Sequence, residues 1–292
     1  MRLSVLISTP SCAPVSRTEN EIASAATCIH HYRSVILLLC SKPQSWHQPH
    51  RLQANLKPTS MVHWGTKLFH VVAFCTYAYC IYYSEVHLDI PQRTPSHKKF
   101  GRYKYLTHWN LTLQGFMFTL SCFIDFAPLR DKLYLKHLRD HLFLALSLPT
   151  CIFVTMLFWA LYFYDRELIY PRSLAIYYPG WLNQLSHTNI TFFALLEAKL
   201  VYHAVPKRRD GFRTMFILVC AYVGWITYLG LAYGMWVYPV LEYMSPALLP
   251  IFIGGCSGAL FVVYIIADKI NHLFWPVLPE PASSTSERDH VD

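Results

Sequence analysis

Apolar residues along the chain gather into six long stretches separated by short polar connections. They run from Trp64 to Tyr83, Tyr105 to Phe126, His141 to Tyr164, Trp181 to His203, Thr214 to Tyr233 and Leu248 to Ile270. Each approaches the ~20 residues an α-helix needs to cross roughly 30 Å of hydrocarbon. Trp64, Tyr105, Trp181, Tyr233 and Trp275 stand at or near the ends, where aromatic rings bridge lipid and water. The pattern predicts an all-α integral membrane protein, a bundle of six transmembrane helices with short loops. Connections of about ten to twenty-five residues leave no room for a soluble domain of ~50 residues or more. Any chemistry is therefore confined to the membrane or its surface.

The flanks read differently. Residues 1–60 are rich in Ser, Pro, Thr and His, and their one apolar run, Val35 to Cys40, is too short to span. A secretory signal would set its basic residues just before an apolar core near the start. Residues 1–60 are accordingly expected to be a translated upstream segment or a disordered extension, with Met61 as the native start. Residues 61–276 form the expected membrane domain and 277–292 a disordered tail. Composition agrees, with 54% hydrophobic and only 14% charged residues, against about 25% charged in soluble proteins. A soluble domain, a disordered chain and a secreted disulfide scaffold are excluded. The nine Cys match no zinc or disulfide spacing, and no cofactor or metal is called for.

The net charge of +8 does not imply a nucleic-acid partner, because basic residues also collect in orienting loops. Arg130, Lys132, Lys136 and Arg139 follow span two, and Lys207, Arg208, Arg209 and Arg213 follow span four. Only Arg166 and Arg172 follow span three, and the loop after span five has no Lys or Arg. The loop after span one, with Arg93, Lys98, Lys99, Arg102 and Lys104, runs against this trend. The balance places both termini in the cytoplasm.

Polar residues inside spans are costly and therefore informative. Thr107, Asn110, Gln114, Ser121 and Asp125 form one stripe along span two, and Asn183, His187 and Thr191 another along span four, with Glu197 deeper and off that line. Such stripes are commonly interhelical hydrogen-bond seams. Topology adds a second reading, because Thr107 and His187 enter from the same side and lie at similar shallow depth. A Thr hydroxyl becomes a nucleophile when a base takes its proton, and His is the usual base. Asn183, one turn before His187, is a candidate to orient the imidazole, with Asp165 and Glu167 as alternatives. Asn110 and Asn183 are also oxyanion candidates. Arg102 and Lys104, just outside Thr107, are candidates to hold a substrate carboxylate, or they simply snorkel to the interface.

The segments Gly101-Arg102-Tyr103-Lys104-Tyr105-Leu106-Thr107, Trp181-Leu182-Asn183-Gln184-Leu185-Ser186-His187-Thr188, Phe158 to Pro171 and Trp236 to Val240 carry a resemblance. Together they resemble the androgen-induced / androgen-dependent TFPI-regulating protein family over about Trp64 to Trp275. The resemblance implies a membrane threonine hydrolase that cleaves fatty acid esters of hydroxy fatty acids, with Thr107 as nucleophile and His187 as base. Its partners would be the lipid ester and the bilayer, in the endoplasmic reticulum or the plasma membrane. The family pattern commonly has His where this chain has Gln184, and the shared depth of Thr107 and His187 favours the retained His. The alternative is a non-catalytic membrane regulator or transporter whose stripes are seams or a pathway. His137 and His141 read as juxtamembrane surface residues, and Gly254, Gly255 and Gly258 as a close-packing site.

Overall fold

A computed structural model describes residues 60–89, 100–128 and 132–276. The expected extension at 1–60, apart from its last residue, and the tail at 277–292 lie outside the described residues, as do Arg93, Lys98, Lys99 and Arg130. All regular structure among the described residues is helical. Helix α1 is Ser60–Val86; a 3₁₀ turn at Gly101–Lys104 leads into α2, Leu106–Phe126. Helix α3, Lys132–Leu142, passes through a π turn at Phe143–Ser147 into α4, Leu148–Tyr164. The short α5 (Arg172–Ala175) precedes α6 (Gly180–Gln184), which continues through a second π turn, Leu185–Asn189, into α7 (Ile190–Leu200). Helix α8 is Arg208–Tyr233, α9 is Pro239–Glu242 and α10 is Leu248–Phe274.

Every expected span coincides with a helical rod. Among the described residues, three helices are long and apolar enough to cross a membrane, Leu133–Tyr164, Arg208–Tyr233 and Leu248–Phe274, which marks the chain as a membrane protein. Helices α1, α2 and the α6–α7 rod are also long, but their sequences carry the polar stripes and several His and Tyr, which lower their mean hydropathy. The central rod α3–α4 is 72% buried over its apolar window, whereas α8 and α10 are each 17% buried. Their exposed Phe216, Leu231, Ile251 and Leu273 are suited to contact with lipid. Helix α1 packs along α2, and α4 is flanked by α7 and α10.

Two local features follow from single residues. Pro149 lies inside the long rod, where it lacks the N–H that would close an i→i−4 bond, and the π turn directly before it absorbs the mismatch. At the end of α8, Gly234 takes a left-handed conformation at φ 61°. The Met235 N–H then reaches back to Leu229 O at 3.3 Å, the bond pattern that stops a helix at glycine.

Three expectations are corrected. Residues 132–140, expected as loop, are helix that runs on into the span, because Leu133, Leu135, Leu138 and Leu142 alternate with helix-favouring Lys and Arg. Within it Arg139 is buried and ion-paired to Asp140 at 2.7 Å, so it is no free loop charge. His141 is likewise buried, with Nε2 2.8 Å from Thr214 Oγ1 of α8; it bridges helices rather than facing water. Gly254, Gly255 and Gly258 face open space, and an added Cβ at each meets nothing within 4 Å. Close approach occurs instead at Gly211 of α8, where an added Cβ would collide with the Tyr264 ring of α10.

Tyr264 is buried and edge-on to Phe212, with ring centroids 5.0 Å apart, so it cannot yield freely. Gly211→Ala should destabilise the fold by about 1–3 kcal/mol through overpacking. Gly254→Ala should be neutral or stabilise by up to about 1 kcal/mol through helix propensity. Thermal unfolding in detergent separates the two; equal effects would refute this placement of the tight contact.

Candidate active site

Thr107 is the second residue of α2, and His187 sits in the π turn between α6 and α7. Although 80 positions apart, they meet with Thr107 Oγ1 3.2 Å from His187 Nε2. On its other side, His187 Nδ1 is 3.0 Å from the Asn183 backbone carbonyl. A carbonyl only accepts, so Nδ1 carries the proton, and a neutral ring then presents the Nε2 lone pair to the Thr107 hydroxyl. The tautomer required of a general base is thus set by a backbone atom.

The imidazole is held on its flat side as well. Phe158 stacks on it with centroids 3.7 Å apart and planes 17° off parallel. Neighbouring Trp159 donates from Nε1 to His187 O at 3.2 Å and to Thr188 Oγ1 at 3.0 Å. The π turn interrupts the regular ladder at this point, as such turns often do at functional sites. His187 is 8% exposed, which limits competition from water, while Thr107 remains half-buried.

The start of α2 is fixed by two tyrosines more than a hundred positions further along the chain. The Leu106 N–H donates to Tyr222 OH at 3.0 Å and to Tyr238 OH at 3.1 Å. Tyr222 in turn donates to Lys104 O at 3.3 Å, and the two hydroxyls are 3.0 Å apart. First-turn N–H groups have no acceptor within their own helix, so this pair acts as a borrowed cap. It also fixes Thr107 at the positive end of the α2 dipole, where developing negative charge is stabilised.

The remaining candidates separate. Asn110 is buried one turn after Thr107; its Oδ1 lies 3.4 Å from Gln114 Nε2 and 3.6 Å from Cys151 Sγ, while Nδ2 has no hydrogen-bond acceptor. An unmatched donor at this place is what an oxyanion would use. Asn183 orients His187 through its carbonyl, not its amide, whose buried Oδ1 has no partner. Asp165 and Glu167 do not reach the imidazole. Asp165 accepts from the Glu167 N–H at 2.9 Å, and Glu167 accepts from the Arg172 N–H at 3.2 Å, on the exposed surface. Arg102 donates to Leu88 O at 3.2 Å and has Nη1 3.7 Å from Glu85. Lys104 does not snorkel: its side chain is buried, with Nζ 5.2 Å from the Tyr105 ring centre. Gln184 is exposed.

The stripes resolve into pairs. Gln114 meets Ser147 of the first π turn, accepting from its Oγ at 2.9 Å and donating to its carbonyl at 3.4 Å. Thr191 pairs with Thr155 at 2.7 Å, and Ser121 is buried. Asp125 and Glu197 belong to a separate array at the other end of α2. Phe158, Trp159, Tyr222 and Tyr238 were given no role by sequence reasoning; three of them lie in the aromatic segments that carry the family resemblance. Among the described residues, no group of three or more His, Cys, Asp or Glu stands so as to hold a metal ion.

A family model described as FAR-17a/AIG1-like protein matches residues 65–272. Over 193 residues the chain is 33% identical to the human (Homo sapiens) androgen-induced gene 1 protein, covering 62% of this chain and 81% of that one. It is 32% identical over 220 residues to the androgen-dependent TFPI-regulating protein of Mesocricetus auratus, covering 74% and 95%. The Rattus norvegicus protein of the same name is 33% identical over 226 residues, covering 74% and 96%. No solved structure matches the chain.

The borrowed cap makes a non-additive prediction. Tyr222→Phe or Tyr238→Phe alone leaves Leu106 N–H one acceptor and should cost about 0.5–1.5 kcal/mol. The double variant strands a buried donor and should cost more than the sum of the singles, by roughly 1 kcal/mol or more. Thermal unfolding of the four proteins completes the cycle, and strict additivity would contradict a shared acceptor.

Proposed function

The chain belongs to the FAR-17a/AIG1-like protein family, and from that premise we propose that it is a membrane threonine hydrolase acting on fatty acid esters of hydroxy fatty acids. The observation that carries this reading is the 3.2 Å approach of Thr107 Oγ1 to His187 Nε2, with the opposite ring nitrogen already committed to a carbonyl. The family resemblance supplies the substrate class. In this reading α1, α2 and the α6–α7 rod also cross the membrane, giving six transmembrane helices with their polar side chains turned to partners inside. The pair then lies at a shallow depth, where the ester of a lipid with a polar head reaches it.

The reaction runs in two halves. His187 Nε2 takes the Thr107 proton as Oγ1 attacks the ester carbonyl. The tetrahedral oxyanion is stabilised by the N-terminal end of α2 and by Asn110 Nδ2. Collapse expels the hydroxy fatty acid as an alkoxide, which His187 protonates. Water enters, gives its proton to the same imidazole, and hydrolyses the acyl-threonine to release the fatty acid and restore Thr107. The free carboxylate of the substrate is held by Arg102 through a charge-assisted bond.

Release of hydroxy fatty acid by the detergent-purified protein tests the pair. Thr107→Ala should abolish turnover and Thr107→Ser should retain part of it. His187→Ala should lose about 10²–10⁴-fold in kcat, with both Ala variants still folded. Wild-type activity that survives Thr107→Ala would sink the assignment. If neither wild type nor Gln184→His turns over, the non-catalytic reading replaces it. Separately, Arg102→Ala should raise KM about 10-fold or more for substrates with a free carboxylate, as loss of a charged hydrogen bond implies, and little for their methyl esters. An unchanged KM would remove Arg102 from the site.

A further inference from the structure

At the end of α2 away from Thr107, about 27 Å along the helix at 1.5 Å per residue, acids and bases alternate in a buried row. Asp125 Oδ2 is 2.7 Å from His70 Nδ1, and His70 Nε2 is 2.8 Å from Glu197 Oε2. Glu197 Oε1 faces His203 Nε2 at 3.5 Å, and His203 Nδ1 is 3.0 Å from Asp140 Oδ1. Asp140 also accepts from Arg139 Nη2 at 2.7 Å and from the Ala204 N–H at 3.1 Å. The row joins α1, α2, α7, the segment after α7, and α3. Helix α10 contributes the neutral amide of Asn271, which donates to His203 O at 3.2 Å.

Proton placement follows from which atoms can donate. Both His70 nitrogens abut carboxylate oxygens, so the two short contacts need two protons and the ring is an imidazolium. Asp140 accepts from a guanidinium, an amide and the His203 Nδ1–H, and is fully satisfied as an anion. One place is left open. Glu197 Oε1 and His203 Nε2 are both buried, both lack a hydrogen-bond partner, and face one another. Without a proton there, Asp125, Glu197 and Asp140 outweigh Arg139 and the His70 imidazolium by one negative charge. With it, the row is neutral, and an uncompensated charge among apolar helices is strongly disfavoured.

We propose that the Glu197–His203 gap is a proton-binding site, and that its occupancy ties the segment after α7 to Glu197. Asp125, at the edge of the row, is 15% exposed. The surrounding titratable groups are Cys75 on α1, Cys122 on α2, Tyr202 beside Asp140, and His141 with Asp210 on the α8 side. None of them lies in the gap. Phe143, stacked on the His203 ring with centroids 4.1 Å apart, keeps Nε2 directed at Glu197.

Nitrogen NMR of the full-length protein with ¹⁵N-labelled histidines, in detergent across the pH range where it stays folded, reads the ring protons directly. His203 should pass from one ring proton to two as pH falls, while His70 keeps two throughout. Glu197→Gln should weaken proton binding at His203 about tenfold or more, because the facing anion is gone. Hydrogen exchange of the wild type supplies a measurement that needs no variant. Amides at 201–204 should exchange faster above the His203 midpoint, beyond the intrinsic rise with pH. A His203 ring that never changes state, a Glu197→Gln protein that binds the proton as tightly, or amides indifferent to the midpoint would each overturn the proposal. None of these readouts uses ester turnover, so they stand apart from the hydrolase reading.

Discussion

A polar side chain buried among apolar helices costs several kcal/mol unless it finds a partner, and that constraint sets the rotation of α2 on which the rest depends. Thr107 meets His187 on the α6–α7 rod, Asn110 meets Cys151 on α4, Gln114 meets Ser147 in the first π turn, and Asp125 meets His70 on α1. These partners come from different elements, yet all four side chains lie on one stripe. Rotating α2 by one residue, about 100°, would strand every one of them. The polar stripe therefore specifies register where apolar packing alone would tolerate many arrangements.

Departures from regular helix fall where that register needs them. Pro149 breaks the ladder of the central rod, and the π turn before it presents the Ser147 carbonyl and hydroxyl to Gln114. The second π turn carries His187 between Thr107 and the Asn183 carbonyl. Since the orienting atom is backbone, the amide at position 183 can change without losing it. What must be kept is the widened turn and the aromatic pair Phe158 and Trp159 that hold it. A regular helix through 185–189 would alter the angle between ring and carbonyl, and with it the tautomer that leaves Nε2 open.

The helical rods are legible in the sequence because hydrophobic runs mark them, and a polar stripe marks the face turned inward; Thr107 and His187 stand out on their stripes through shared depth and the family resemblance, not through period alone. It does not say which neighbour receives each stripe. Tyr222 and Tyr238 lie more than a hundred positions beyond Leu106, and nothing local to either shows that they cap α2. His70 stands alone in its span as a buried base, and its two carboxylates come from α2 and α7. Arg139 looks like a loop residue and His141 like a surface residue at the edge of a span because their surroundings are basic; the leucines at 133, 135, 138 and 142 carry the helix through them. Gly254, Gly255 and Gly258 mislead for the opposite reason, since small residues permit close packing without requiring it.

The two polar sites share scaffolding but not chemistry. Helix α2 carries Thr107 at its start and Asp125 at its end, and the α6–α7 rod carries His187 at one end and Glu197 at the other. At the first site the imidazole is flanked by a carbonyl, a hydroxyl and an aromatic face, all neutral, which leaves it available to accept a proton. At the second, each imidazole faces carboxylates on both ring nitrogens. The same residue type is thus set to opposite tasks by its neighbours. Because rigid helices fix both ends at once, the ion-paired end anchors the rotation that the neutral end needs. A dense charged network is too costly to leave half-satisfied, so it tolerates only one register, and that register is the one that sets Thr107 against His187.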